Sequence, residues 1–197
     1  DLLADLLAGV REVEERAASV VVLTGAGHSF STGGDVAGFI GAADEPATLD
    51  DYAVRTVGSL HEVILALLAL PMPVIARVNG PVTGGSVGLV LAADMVAMAD
   101  DAFLQPFYSE VGFSPDGGWT ALLPERVGTA KALEIQFLNR RIGAAEAVRL
   151  GLATETAPGE VLDAIVADWP DALATKSAAS LRATRGLVWD EARRARV

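Results

Sequence analysis

The sequence contains no cysteine and few basic residues. Without cysteine, disulfide bonds, thiolate nucleophiles and zinc sites built on thiolates are all excluded. Its 197 residues include 15 Lys and Arg against 26 Asp and Glu, which gives a formal net charge of −11. This acidic balance argues against a nucleic-acid partner, because such a partner needs a basic face. An anionic ligand would therefore have to be held by local donors rather than by a long-range field.

Long apolar runs and secretory signals are also lacking. No apolar run reaches the roughly 18–20 residues that a membrane span needs, and the longest, at 63–75, is interrupted by Pro71 and Pro73. The chain opens on a helical pattern instead of the charged and apolar regions of a signal peptide. We therefore expect a cytoplasmic protein with no membrane partner.

Strand and helix patterns alternate along the chain. Apolar residues recur at helical spacing over 1–17, a β-branched run at 20–24 predicts a buried strand, and 73–80 predict another. Residues 41–51 have the polar, acidic composition of a mobile loop, whereas 52–70 predict a long helix. This alternation indicates an α/β fold with largely parallel strands.

The segment "GPVTGGSVGLVLAADMV" contains two competing patterns. Gly84 to Gly88 match G-x-S-x-G, the signature of a serine nucleophile on a sharp turn. In an α/β-hydrolase the catalytic histidine follows the serine, but both histidines, His28 and His61, precede Ser86. A hydrolase with another order of triad residues stays open as an alternative. The sequence has no P-loop, no dinucleotide fingerprint and no metal-ligand spacing, so no metal site is expected.

The second pattern is a pair of glycine turns, each placed after a predicted strand. The first is "STGGD" at 31–35, and the second is "TGGS" at 83–86, at the start of a predicted helix. Glycine lets the backbone approach a ligand closely, and a helix start presents unpaired N–H groups. Two such donors aimed at one point would form an oxyanion hole for an enolate. The alternative is that both are ordinary turns.

Several segments together resemble the crotonase (enoyl-CoA hydratase/isomerase) superfamily. They occur in the family's order and are "VVVLTGAGHSFSTGGDV", "MPVIARVNGPVTGGSVGLVLAADMVAMADDAFL", "GFSPDGGWTALLPERVG" and "IGAAEAVRLGLATE". The resemblance implies an α/β fold of the crotonase-like ββα spiral type, with a C-terminal helical region. We expect a core at 1–157 that lacks the family's N-terminal strands, and an incomplete helical segment at 158–197.

The resemblance also implies a ligand and a set of site residues. The family binds acyl-CoA thioesters, and the enolate oxygen would be held here by the amides of Gly34 and Gly85. Asp35, Val36 and Ala37 would lie along the CoA and the thioester. Coenzyme A would enter as part of the substrate, with no other cofactor and no metal. The expected assembly is a homotrimer or a dimer of trimers.

The acid–base residues depart from the family's hydratases. Gly88 and Tyr108 stand where those enzymes carry two catalytic glutamates, so addition of water by that pair is in doubt. Asp116, in "SPDGG", stands where some enoyl-CoA isomerases of the superfamily carry their acid–base carboxylate. The resemblance therefore implies that Asp116 is catalytic and moves a proton, although Pro-Asp-Gly-Gly is also strong turn chemistry.

Three further side chains are candidates for the substrate pocket. Tyr108 and His61 are assigned to its wall, and Glu110 could reach the same face if its segment is extended. His61 also matches the base of the family's 4-chlorobenzoyl-CoA dehalogenases, but Leu60 and Tyr108 replace the tryptophans that clamp the ring there.

Double-bond isomerisation in an enoyl-CoA is the leading functional prediction. The alternatives are a hydratase that uses Asp116 with Glu110, and a catalytically silent member that binds acyl-CoA or a partner protein.

Overall fold

The computed structural model describes the backbone of residues 1–197 and the side chains of all residues except 46 and 47. The strands are β1 (Val21–Thr24), β2 (Val74–Val78), β3 (Val82–Thr83), β4 (Met95–Ala99), β5 (Phe103–Gln105), β6 (Ile142–Gly143) and β7 (Glu155–Ala157). The helices are α1 (Leu2–Glu15), α2 (Val36–Ala42), α3 (Pro46–Ala69), α4 (Val87–Leu91), α5 (Tyr108–Val111), α6 (Trp119–Val127), α7 (Thr129–Phe137), α8 (Ala144–Arg149), α9 (Leu162–Ala174), α10 (Ala178–Val188) and α11 (Glu191–Arg194).

The strands form two sheets. The larger sheet has the order β1-β2-β4-β7, and every pair in it is parallel. The smaller sheet has the order β3-β5-β6, with β3 and β5 parallel and β5 and β6 antiparallel. The prediction of an α/β fold with largely parallel pairing is therefore confirmed.

The core lies between the larger sheet and the C-terminal half of α3. Val74, Ile75 and Ala76 of β2 are completely buried, as expected for a central strand covered on both faces. From α3, Ile64 and Leu67 are also completely buried. Their spacing of three residues places both on the helix face that packs against the sheet.

Helix α3 is more apolar than the sequence analysis recognised. Its segment Thr48–Ala69 is long and apolar enough, by length and composition, to cross a membrane, with a mean hydropathy of 1.3. The helix itself was predicted at 52–70, but a count of unbroken apolar runs does not reveal its overall hydropathy, because a few charged residues interrupt the segment. Its C-terminal half contributes buried residues to the core, although only 22 % of its most apolar window is buried, and length and composition alone are weak evidence for a membrane span.

The predicted loop at 41–51 is largely helical. Helix α2 continues to Ala42, and α3 begins at Pro46, so only a short connection separates them. Proline is well suited to the first turn of a helix because its nitrogen needs no hydrogen-bond partner there. The acidic residues Asp50 and Asp51 lie on an exposed part of α3. Their polarity reflects contact with solvent and does not indicate a loop.

A buried arginine joins helix α10 to the core. Arg185 is 6 % exposed, and its Nε lies 2.7 Å from Asp94 Oδ2. Its other nitrogens donate to the carbonyls of Leu67, Leu68 and Leu70 at the end of α3, where a helix leaves its last carbonyls short of amide donors. The C-terminal segment therefore packs on the core, while its predicted division from the core at residue 157 stays a prediction.

Candidate active site

The first glycine turn is fixed to the start of the second. Ser31 bridges to Val82, and the amide of Thr83 donates to the Ser31 carbonyl at 3.0 Å. Gly33 has a φ of 92°, and a methyl group placed on it would lie 3.0 Å from the Thr83 carbonyl oxygen. Both the backbone angle and the close approach favour glycine here. The two turns are therefore neighbours in space.

The Ser86 hydroxyl ties these turns together. Ser86 is 6 % exposed, and its Oγ donates to the carbonyl oxygens of Thr83 at 2.7 Å and Ser31 at 3.2 Å. His61 accepts a hydrogen bond from another group, the amide of Gly117. The arrangement therefore has no serine–histidine pair of the kind that activates a nucleophile, and the G-x-S-x-G match reflects a structural serine.

The amides of Gly34 and Gly85 are available to a ligand. Gly85 lies in a 3₁₀ turn, Gly84–Ser86, and the first amides of such a turn have no partner within it. In the part of the chain that the structure describes, neither amide donates to a backbone carbonyl outside the helices and strands. Both residues line the same cleft. Two unpaired donors at one cleft are what an oxyanion hole requires.

Asp116 lies directly against the second turn. A methyl group placed on Gly85 would be 2.5 Å from Asp116 Oδ1, so the carboxylate occupies the space beside the Gly85 Cα. The same oxygen accepts a 2.5 Å hydrogen bond from the Tyr108 hydroxyl. Burial of the phenol and then the charge of Asp116 raise the pKa of Tyr108 well above its usual value, so the phenol remains a donor.

The loop that carries Asp116 is held on three sides. The Gly117 amide donates to His61 Nε2 at 3.2 Å, which links the loop to α3. Trp119, at the end of the loop, donates from Nε1 to the Gly84 carbonyl at 2.8 Å. Gly117 has a φ of 56° and passes so close to Gly85 that a methyl group on it would lie 2.3 Å from the Gly85 carbonyl oxygen. These contacts fix Asp116 beside Gly85.

The backbone of Gly117 also fills the space beside Gly88. A methyl group on Gly88 would lie 1.8 Å from the Gly117 carbonyl oxygen and 2.7 Å from Ile64 Cδ1. Real Cβ atoms essentially never approach other atoms more closely than 3.0 Å. No side chain can therefore occupy position 88 unless the Asp116 loop moves.

Comparison with known proteins now identifies the family. A family model described as enoyl-CoA hydratase/isomerase matches residues 1–196. The chain belongs to the enoyl-CoA hydratase/isomerase family. Among curated relatives, a probable enoyl-CoA hydratase of Mycobacterium tuberculosis is 38 % identical over 172 residues, covering 85 % of this chain and 60 % of that protein. Enoyl-CoA delta isomerase 2 of Rattus norvegicus is 30 % identical over 154 residues, covering 78 % of this chain and 39 % of that protein.

Solved structures support the same assignment. Enoyl-CoA hydratase from Bacillus anthracis superposes with a TM-score of 0.84 at 30 % identity, covering 95 % of this chain and 71 % of that one. The predicted crotonase-like ββα spiral is thereby confirmed. The chain spans about 60 % of the length of the first curated relatives it matches. Within the family, relatives carry both hydratase and isomerase names, so membership alone does not choose between these reactions.

The cleft that Gly34 and Gly85 line has a volume of about 1080 Å³. Four of the predicted site residues line it, namely Gly34, Asp35, Gly85 and Asp116. Asp35 also caps α2, because its Oδ1 accepts the Gly38 amide at 3.0 Å. Sequence analysis missed the apolar residues that line the cleft, which include Leu2, Leu3, Leu6, Phe39, Leu60 and Leu89. Only the helical spacing of leucines in α1 hinted that this helix has an inward face.

The other predicted pocket residues lie elsewhere. Tyr108 and His61 are not on the cleft wall but behind Asp116, where they contact its carboxylate and its loop. Glu110 is exposed on α5, because this segment is a short helix and not the extended strand that would have aligned it with Tyr108. Val36 and Ala37 are exposed in the first turn of α2, outside the cleft. The roles of Val36 and Ala37 along CoA stay predictions.

Proposed function

We propose that this protein shifts a double bond in an enoyl-CoA thioester, with Asp116 as the group that moves the proton. The observation that carries the proposal is the contact of the Asp116 carboxylate with Gly85, at the edge of a cleft that both unpaired glycine amides line. This contact supports the proposal, because it would put a base beside the two donors that receive the developing negative charge.

The proposed reaction has two proton transfers. Asp116 removes a proton from the carbon next to the thioester of a 3-enoyl-CoA, and the electron pair of that C–H bond moves into a dienolate. The amides of Gly34 and Gly85 hold the enolate oxygen. Asp116 then returns the proton to the γ carbon, which leaves the double bond conjugated with the thioester. The reaction is redox-neutral and adds no water, so it needs no cofactor apart from the CoA of the substrate.

The residues around Asp116 support isomerisation over hydration. Hydration by a pair of carboxylates needs a second acid, and the two family positions for it hold Gly88 and Tyr108. Gly117 fills the space beside Gly88, and the Tyr108 hydroxyl already donates its hydrogen bond to Asp116. Glu110, the replacement considered from the sequence, is exposed on α5 and does not line the cleft. One carboxylate and one oxyanion hole are sufficient for a proton shuttle.

The direct test is an assay with a 3-enoyl-CoA, followed by the absorbance of the conjugated 2-enoyl product. The wild-type protein is expected to form this product and to leave crotonyl-CoA unhydrated. Asp116→Asn should lower kcat by about a hundredfold to ten-thousandfold, the range for loss of a general base. Asp101→Asn, at an exposed carboxylate outside the cleft, is the matched control and should retain activity.

Two results would favour other functions. Loss of 2-enoyl absorbance in water would indicate a hydratase. A protein that does neither reaction, yet is stabilised against heat by acyl-CoA, would be a binding member of the family.

We also infer that the protein is an oligomer, a trimer or a dimer of trimers. Support comes from three apolar side chains left exposed within and directly after α7, namely Leu133, Phe137 and Leu138. Light scattering coupled to gel filtration tests this, and a monomer would refute it. A cytoplasmic location and the absence of nucleic-acid and membrane partners stay predictions.

A further inference from the structure

We infer that Tyr108 is the positioning residue for Asp116: its hydroxyl occupies one carboxylate oxygen and leaves the other to move the proton. This inference rests on the proposed function, because it concerns the base of that reaction. It assigns to Tyr108 a role different from the pocket-wall position that the sequence suggested.

The phenol is held rigidly enough to orient a neighbour. Tyr108 is 6 % exposed and begins α5. Its ring packs edge-on against Trp119, with 6.5 Å between the ring centroids and an interplanar angle of 90°. Trp119 is itself fixed by its hydrogen bond to the Gly84 carbonyl. The hydroxyl therefore has a defined position, and its 2.5 Å hydrogen bond to Asp116 Oδ1 orients the carboxylate plane.

The hydrogen bond divides the two carboxylate oxygens by role. Oδ1 accepts the hydrogen bond from the Tyr108 hydroxyl and lies against Gly85, so Oδ2 is the oxygen left for the substrate. Because burial and the charge of Asp116 raise the pKa of Tyr108, the phenol donates across the whole physiological range and does not compete as a base. A charge-assisted hydrogen bond to a carboxylate is stronger than one between neutral groups. Tyr108 thus holds the Asp116 carboxylate in one orientation.

Other ionisable groups face this site and remain in place when Tyr108 is changed. His61, from α3, accepts the amide of Gly117 next to Asp116. Asp35, which caps α2, and Arg55 of α3 line the same cleft. A change in pH dependence that appears only when the Tyr108 hydroxyl is removed can therefore be assigned to the hydroxyl.

The kinetic test compares the two tyrosines of the chain. Tyr108→Phe removes only the hydroxyl, and we expect kcat for 3-enoyl-CoA to fall about tenfold while KM changes little. Loss of a charge-assisted hydrogen bond should also shift the acid limb of the pH profile of kcat to higher pH, by about one pH unit. Tyr52, on α3, also lines the cleft, but it is Tyr108 that donates to Asp116. Tyr52→Phe is therefore the matched control and should leave the acid limb in place whatever its effect on KM. A purely structural role would lower stability and leave the limb unmoved, which would overturn the inference.

A spectroscopic test does not depend on activity. The chain has two tyrosines, so Tyr108 is the only one left in Tyr52→Phe. In a pH titration of this variant, phenolate absorbance should not appear near pH 10, the ordinary pKa of a tyrosine. Adding Asp116→Asn should bring ionisation to lower pH, because it removes the facing charge. Ionisation near the ordinary value, or no response to Asp116→Asn, would refute the contact.

The two tests together separate failure of this inference from failure of the proposed function. A wild-type protein that does not isomerise 3-enoyl-CoA refutes the proposed function and the positioning role with it, even if the phenol titrates as expected. An active wild-type protein whose acid limb is unmoved in Tyr108→Phe refutes the positioning role alone.

Discussion

Replacement of Gly88 by alanine is the sharpest test of how the Asp116 loop packs. The added methyl group would lie 1.8 Å from the Gly117 carbonyl oxygen, where ordinary contacts begin at 3.4 Å. The backbone of the loop must therefore move by more than 1 Å, since 3.4 Å less 1.8 Å is 1.6 Å. A backbone carbonyl cannot rotate away as the end of a flexible side chain can. We expect the loop to be displaced together with Asp116.

The expected cost in stability follows from two opposing effects. Overpacking a well-packed core costs roughly 1–3 kcal/mol. Alanine stabilises a helix relative to glycine by about 1 kcal/mol, and Gly88 lies within α4. The free energy of unfolding should therefore fall by up to about 2 kcal/mol, which for a domain of this size lowers Tm by roughly 4–8 °C. Isomerase activity should fall further, by about a hundredfold, because a 1 Å misplacement of a reacting group has that effect.

Thermal unfolding followed by circular dichroism, together with kcat for 3-enoyl-CoA, measures both effects. Gly186→Ala is the matched control, because Gly186 lies in α10 and an added methyl group there meets no atom within 4 Å. It should raise stability by about 0.5–1 kcal/mol and leave activity unchanged. If Gly88→Ala behaved like this control, the packing of Gly117 on α4 described above would be wrong.

Three further predictions concern stability and the serine. Ser86→Ala should lower kcat less than tenfold, because Ser86 Oγ only ties the two turns together; an abolished reaction would restore the nucleophile hypothesis. Arg185→Leu should lower the free energy of unfolding by about 3 kcal/mol, because it removes the ion-pair partner of Asp94 and the donors to three carbonyls at the end of α3. Arg182→Leu, at an exposed position of the same helix, should change the free energy of unfolding by less than about 0.5 kcal/mol. Equal losses for the two arginine variants in denaturant titrations would contradict the role given to Arg185. The free energy of unfolding should also decline above about pH 10, because Tyr108 ionises there in the unfolded chain but not in the folded one. The decline should be at most about 1.4 kcal/mol per pH unit. Because the folded pKa is the raised one, this stabilisation is complete below the unfolded pKa; the decline should be shallower in Tyr108→Phe.

The fold was predictable where local sequence determines it. Strands β1 and β2 are short apolar runs that end in turns or polar residues, so their pattern was sufficient. Strands β3 and β6 have two residues each, and β7 has three. Such segments become strands only because a partner strand lies beside them, and no local pattern encodes that partner. Helix α5, with four residues, was missed for a similar reason.

The candidate site was only partly predictable. The glycine turns and Asp116 could be proposed because each stands in a segment that resembles the family. The contacts of Tyr108 with Asp116 and of His61 with Gly117 could not be predicted, because they depend on how the loop between Gly112 and Trp119 folds back on α3 and α4. Residue spacing determines which face of a helix a side chain shares, but it does not determine where a loop crosses that helix.

The absence of a side chain at position 88 and the presence of a carboxylate at position 116 are physically linked. The Gly117 carbonyl can lie beside α4 only because Gly88 has no Cβ. That approach brings Gly117 onto the Gly85 backbone and places the preceding residue, Asp116, against the Gly85 Cα. A glutamate at position 88 would occupy the volume through which this loop passes, so one backbone cannot hold both acids in these places. The missing side chain at 88 is therefore a condition for the position of the Asp116 carboxylate, which links one departure from the hydratase pattern, Gly88, to the residue that we propose as the base.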